Sequence, residues 1–405
     1  MTSPPATDAL HSVPAAASLR RRVPALVYLL ASGTFLMGTS EFLVAGLLPQ
    51  VARDYHVGVA EAGLSITTFA VGMVLGAPTI VLLTLRRSRR FMLTAALVVF
   101  AFGHVAVALS SVFPLMLGAR FVTALATSAF WGIASLVAAD VAGAGLRARA
   151  LSITISGATL ANVAGVPLGS LIGQHAGWRV PFWLLAAVAL LVAIAINRLV
   201  PGSPPDHQPP TLRRELGALR SGRMWLALAT CACVTGGVLS IYSYVAPLIT
   251  ERAHLSQSVV PLALVMFGVV AVCGTLIAGR VGDRYPHTAT IVGASVTLTT
   301  VILLGIFSSI PVAMLALFAF LGLTGLALNP ILVSLAQRYG SSGPTLASAL
   351  TPSCFNFGTA LGTGITAAAL GVVGPIAPVL IGAAGGALVL AGTIALAVIA
   401  KRPSA

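Results

Sequence analysis

Two full charges stand well inside apolar stretches of this chain, Glu41 in the run 24–48 and Arg120 in the run 113–138. Each lies seven residues from one end of its run. At about 1.5 Å per helical residue, both sit about 10 Å below one boundary if the two runs cross a membrane in opposite directions. A charge at such depth costs at least ~2.5 kcal/mol and is a functional group by default. A carboxyl there can exchange a proton as its surroundings alternate between apolar and wet. An arginine does not titrate and acts as a partner or field source, with a substrate anchor as the alternative. The matched depth predicts that Glu41 and Arg120 face one cavity and approach each other, directly or through water. Two plainer readings of Glu41 stay open: a static pair with Arg120, and a permanently protonated acid hydrogen-bonded to Thr39 or to backbone. If Glu41 does not carry the proton, Asp140 is the next acid to consider.

Around this pair, Phe42, Phe130, Trp131, Tyr242, Tyr244, Asn329, Phe355 and Asn356 are candidates to line a central cavity and hold a substrate. The aromatics serve equally well as packing, whereas mid-span amides need partners in lipid. His104 has no acidic partner in sequence and reads as an interhelical hydrogen bond. Gly157, Gly165, Gly169 and Gly173 recur at spacings of eight, four and four, on a helical face that admits a close neighbour. Pro167 within that stretch removes an amide donor and permits a bend.

The elements that position these residues follow from composition. Of 405 residues, 58% are hydrophobic and 8% charged, with mean hydropathy +1.00; soluble domains carry about 25% charged residues. A soluble enzyme and a disordered chain are both excluded. Apolar runs at 24–48, 60–83, 91–111, 113–138, 150–173, 181–200, 223–249, 259–281, 288–308, 311–335, 345–370 and 376–400 are each close to the ~20 residues a bilayer requires. The expected fold is an all-α membrane protein of twelve spans in two six-helix bundles. These are 24–200 and 223–400, with a linker at 201–222 and tails at 1–23 and 401–405. The run at 24–48 exceeds a signal-peptide core and is expected to be retained as the first span.

The net charge of +14 belongs to loops. Nineteen of the 23 bases fall on the side of the N-terminus, the linker and the C-terminus, and three (Arg53, Arg179 and Arg252) on the other. By the positive-inside bias both termini are expected in the cytoplasm, in a multi-pass plasma-membrane protein. Nucleic-acid binding is not expected. Cys231, Cys233, Cys273 and Cys354 lie in apolar runs and read as buried thiols, with no metal site. No Walker A sequence exists, which excludes ATP-driven pumping by this chain, and no nucleophile constellation points to an enzyme.

Several short motifs resemble the major facilitator superfamily, specifically its twelve-span drug:proton antiporters. Gly279-x-x-x-Asp283-Arg284 resembles the family's loop motif after the second span of a half. In the first half the same hairpin keeps its bases, Arg86, Arg89 and Arg90, but has Thr84 and Leu85 where the acid would stand. Thr84 to Arg90, Gly38 to Phe42 with Gly46 to Pro49, and Phe355 to Gly358 with Gly362 are similar to the chloramphenicol-resistance and sugar-efflux branch. Asn162 to Gly169 resembles the fifth-span antiporter motif. The resemblance implies proton-coupled efflux of an amphiphilic small molecule, chloramphenicol or a similar drug first and an arabinose-type sugar second. It implies no cofactor beyond a proton gradient, a lipid setting and a monomer. Asp283 is expected to cap the positive end of the fifth span, near Arg149 to Ser152.

Overall fold

The computed structural model describes residues 23–84, 88–143, 146–200, 220–340 and 344–401. Eleven stretches are long and apolar enough to cross a membrane. The last, Leu350–Ala400, holds two helices, Pro344–Val373 and Ala377–Lys401, reversed by a tight turn at Gly374–Ile376. Gly374 takes a left-handed φ of 69° there, and Pro375 supplies no amide to continue the helix. The described residues therefore make twelve passes, and the fold is all-helical.

The first six passes are Ala25–Leu43, Val59–Thr84, Arg89–Leu109, Phe113–Ala142, Arg147–Ala176 and Val180–Leu199. The second six are Gly222–Ser243, Val260–Arg284, Pro286–Phe307, Pro311–Tyr339 and the two helices of the last stretch. The fourth, fifth and tenth spans are longer than their apolar runs because Asp140, Arg147, Gln174 and Arg338 continue the helix beyond the apolar core.

Four prolines mark where the helices depart from regularity. A helical proline clashes with the carbonyl four residues earlier and leaves it without a donor. For Pro49, Pro167, Pro247 and Pro330 those residues are Ala45, Val163, Ser243 and Leu326. Each lies in or at the edge of a break: the 3₁₀ turn Val44–Gly46, the π-helical turn Ala161–Gly165, the end of Gly222–Ser243, and the turn between Pro311–Thr324 and Leu328–Tyr339. Two corrections follow. The first pass ends near Gly46 and a separate helix, Leu48–Asp54, follows it. The seventh pass ends at Ser243 rather than at residue 249, and Leu248–Arg252 forms a π-helical turn.

Among the described residues, side chains of the first half bond to the second at one end, here named for Gln257. Gln174 Nε2 donates to the Gln257 carbonyl (3.1 Å), and Arg53 reaches Gln257 Oε1 at 3.5 Å. Deeper in, Thr67 of the second span and Thr363 of the eleventh share a hydroxyl bond of 2.9 Å. Midway, Gly268 of the eighth span leaves no room for a β-carbon against the Asn162 carbonyl of the fifth. Of the thiols, Cys231 is buried and Cys233 and Cys354 half-buried, but Cys273 is exposed. That corrects the expectation of four buried thiols.

Candidate functional site

Arg120 is fully buried. Its Nη1 donates to the Ser40 carbonyl (2.9 Å) and to Ser40 Oγ (3.1 Å), and its Nη2 to the Glu41 carbonyl (3.3 Å). The plane of the guanidinium lies over Phe69 of the second span, 4.2 Å from the ring centroid, a favourable cation–π contact in a desolvated setting. The fourth span is thus tied to the first and second through one side chain.

The expected approach of Arg120 to Glu41 is made to the main chain, not to the carboxylate. Among the described residues the ion pairs are Arg89–Asp140 and Arg179–Asp54. Successive helical residues point about 100° apart, so an arginine aimed at Ser40 meets the backbone of Glu41 while the acid projects around the helix. The half-buried Glu41 carboxyl remains in a field set by Arg120 without being neutralised by it.

The aromatic candidates close the space rather than line it. Phe42, next to Glu41, meets Tyr242 edge-on at 5.6 Å between centroids, and Tyr242 packs on Phe267 at 4.9 Å. Phe267 continues to Phe318 at 5.1 Å. This column crosses from the first half to the second. Tyr244 is fully buried, with its hydroxyl donating to the Thr363 carbonyl (3.3 Å) and its ring in the space above Gly63. Tyr242, Tyr244 and Phe130 are all buried in this state. The first two are sealed between the halves, and Phe130 is enclosed in the first half with its ring on Gly33.

The remaining candidates are dispersed. Trp131 borders a space of about 20 Å³ with Thr34, Ser135 and Thr154, its indole N–H without a partner. Asn356 is buried and donates to the Pro352 carbonyl (3.1 Å). Phe355 packs in the second half's core, and the Asn329 side-chain oxygen is buried without a partner.

Gly157, Gly165, Gly169 and Gly173 all abut the first span. Their missing β-carbons would strike, in turn, Ala31 and Thr34, Thr39 and Phe35, Leu43, and Leu47. Asn162 sits in the π-helical turn with its side-chain oxygen buried and unpaired, and Pro167 follows that turn.

At the opposite end of the molecule, Arg89 pairs with Asp140 and Arg90 Nε donates to Asn197 (3.1 Å). Both bonds lie within the first half. Gly279 faces open space, and Arg284 lies 5.3 Å from the Tyr285 ring centroid. Arg86 and the side chain of Asp283 lie outside the described residues, so the expected cap on the fifth span concerns a group not described.

Sequence reasoning missed Ser40 and Phe69 as ligands of Arg120, and Phe267 and Phe318 as the continuation of the aromatic column. Ser40, directly before Glu41 in an apolar helix, was the available signal. Phe69, Phe267 and Phe318 carry none beyond apolarity.

The sequence profile of the Major Facilitator Superfamily matches residues 30–292 and 228–405. The chain is 35% identical over 352 residues to a chloramphenicol resistance protein of Streptomyces lividans, covering 86% of this chain and 90% of that one. It is 33% identical over 350 residues to the MFS-type transporter YtbD of Bacillus subtilis, with 85% and 88% covered. Its fold matches a crystal structure of a D-xylose-proton symporter with TM-score 0.74 at 16% identity, over 92% of this chain and 96% of the other. Twelve apolar passes in two contacting halves and these similarities agree on a multi-pass membrane transporter rather than an enzyme. The chain belongs to the Major Facilitator Superfamily.

Proposed function

We propose that this transporter exports a neutral, partly aromatic small molecule of the chloramphenicol type in exchange for protons. In this reading Glu41 carries the proton, Arg120 sets the field in which it is held, and the six-helix halves 24–200 and 223–400 rock about the site across the linker 201–222. Both termini lie in the cytoplasm, so the Gln257 end faces outward and is closed in this state. The chain works as a monomer in the plasma membrane and needs protons, substrate and lipid, with no metal or organic cofactor.

The observation that carries the reading is the Glu41 carboxyl, placed inside the first span beside an arginine whose hydrogen bonds go to main-chain and hydroxyl oxygens. An acid in that position can change protonation without dismantling the arginine's anchorage. The named relative from Streptomyces lividans supports the substrate class. A site with few charges also favours a neutral ligand, since each ligand charge would need a counter-charge.

The test is growth of an efflux-deficient host expressing the chain across a panel of antibiotics and sugar stressors. A selective rise in chloramphenicol tolerance that disappears with Glu41→Gln is expected. Unchanged tolerance with better survival on arabinose-type sugars would move the substrate to a polar metabolite.

A further inference from the structure

His104, in the third span, is fully buried and touches the site from behind. Its Nδ1 lies 2.7 Å from the Phe100 carbonyl and its Nε2 lies 2.8 Å from Ser40 Oγ. A carbonyl oxygen only accepts, so the Nδ1 position carries the ring proton. In the neutral ring Nε2 then offers a lone pair, which accepts a hydrogen bond from the Ser40 hydroxyl. That orientation turns a Ser40 oxygen lone pair toward Arg120 Nη1, 3.1 Å away. The imidazole is held between Phe100, at 4.0 Å between centroids, and Phe182, at 5.8 Å.

We propose that His104 is a positioning residue for Arg120: through Ser40 it fixes the guanidinium on the first-span carbonyls and so fixes where positive charge stands relative to the Glu41 carboxyl. The chain of bonds runs from Phe100 through His104 and Ser40 to Arg120, joining the third, first and fourth spans. Reversing the Ser40 hydroxyl would aim its hydrogen at Arg120 and leave a buried acceptor unfilled, a loss of the kind that weakens buried networks as a whole. The proposal rests on the coupling role given to Glu41 and Arg120. It assigns His104 no proton transfer of its own.

Two measurements on the full-length protein test it. The first is nitrogen-15 NMR of histidine-labelled protein in lipid nanodiscs, with the His104 signal among the seven histidines assigned by its loss in His104→Gln. A ring protonated at Nδ1 and bare at Nε2, with a signal that moves in Ser40→Ala, is expected. A ring protonated at Nε2 instead, or a signal blind to Ser40→Ala, overturns the placement. The second is substrate-dependent proton movement in everted vesicles. Gln presents one donor and one acceptor as the neutral ring does, so His104→Gln should stay within about twofold of the native rate, whereas His104→Leu should fall about tenfold or more at equal folded protein. A folded His104→Gln that fails as His104→Leu does, or an unaffected His104→Leu, refutes the positioning role. If native protein shows the expected tautomer but no proton-linked export, the placement is supported and the coupling reading falls.

Discussion

Tyr244 of the seventh span occupies the space that a side chain at Gly63 of the second span would need. A β-carbon at Gly63 would come within 2.7 Å of the Tyr244 ring edge, and Tyr244 is itself pinned by Thr363. The contact joins the two halves, so opening the Gln257 end would have to separate it. Overpacking of this kind costs about 1–3 kcal/mol, which is roughly a 5- to 150-fold shift between two states. Gly63→Val should therefore hold that end open. A cysteine placed at Thr67 should react slowly with a membrane-impermeant thiol reagent in the parent protein and rapidly beside Gly63→Val, with export falling in parallel.

Glu41→Gln keeps size and hydrogen-bonding capacity but cannot release a proton. Vesicles energised by a pH gradient should lose uphill substrate movement by about tenfold or more, the effect of removing an interaction made only in the driven step. Downhill exchange and the amount of inserted protein should stay near native. Persistent uphill export would move the proton site to another acid, with Asp140 first.

Arg120→Lys keeps the charge and loses the fork. Lysine cannot place donors on the Ser40 carbonyl, Ser40 Oγ and the Glu41 carbonyl together while stacking on Phe69. Loss of charge-assisted bonds of this type costs about 1.5–3 kcal/mol. A thermal-shift assay should report a melting point lower by several degrees, with proton-linked export reduced at least as strongly.

Orientation is checked by labelling. The distribution of nineteen bases against three predicts that probes at Ser203→Cys and Ser404→Cys are silent to impermeant reagents in intact cells and react after permeabilisation. Strong labelling of intact cells at either position reverses the topology.

The helical passes were legible because twenty consecutive apolar residues have few alternatives in a bilayer. The glycine face of the fifth span was legible in part: Gly165, Gly169 and Gly173 mark where the first span comes close, whereas Gly157 joins them only through the π-helical turn, which the spacing did not announce. What the sequence did not reveal was the direction of bonding. Glu41 and Arg120 read as partners by depth, but depth does not set rotation about the helix axis, and Arg120 bonds Ser40 and the Glu41 carbonyl rather than the Glu41 carboxylate. Tyr242 and Tyr244 suggested a binding surface because aromatic residues serve ligands and seals alike. The position of Phe42 and Gly63 across from them, with Thr363 holding Tyr244 from its own half, is what makes them seal this end. The break after Gly46 was readable in principle from Pro49, whose clash falls on Ala45.

The π-helical turn Ala161–Gly165 has a consequence for the phase of the fifth span. A π-turn inserts the equivalent of one extra residue into an α-helix. Eight residues of uninterrupted α-helix between Gly157 and Gly165 would rotate one away from the other by about 80°, whereas seven effective residues bring them within about 20°. The turn therefore acts as a phase corrector, bringing the glycines on either side of it onto a single seam against the first span. Removing one residue from 161–165 and letting the segment relax to regular helix should preserve that seam, while inserting a second residue there should turn a bulkier face of the fifth span toward Ala31 and Thr34.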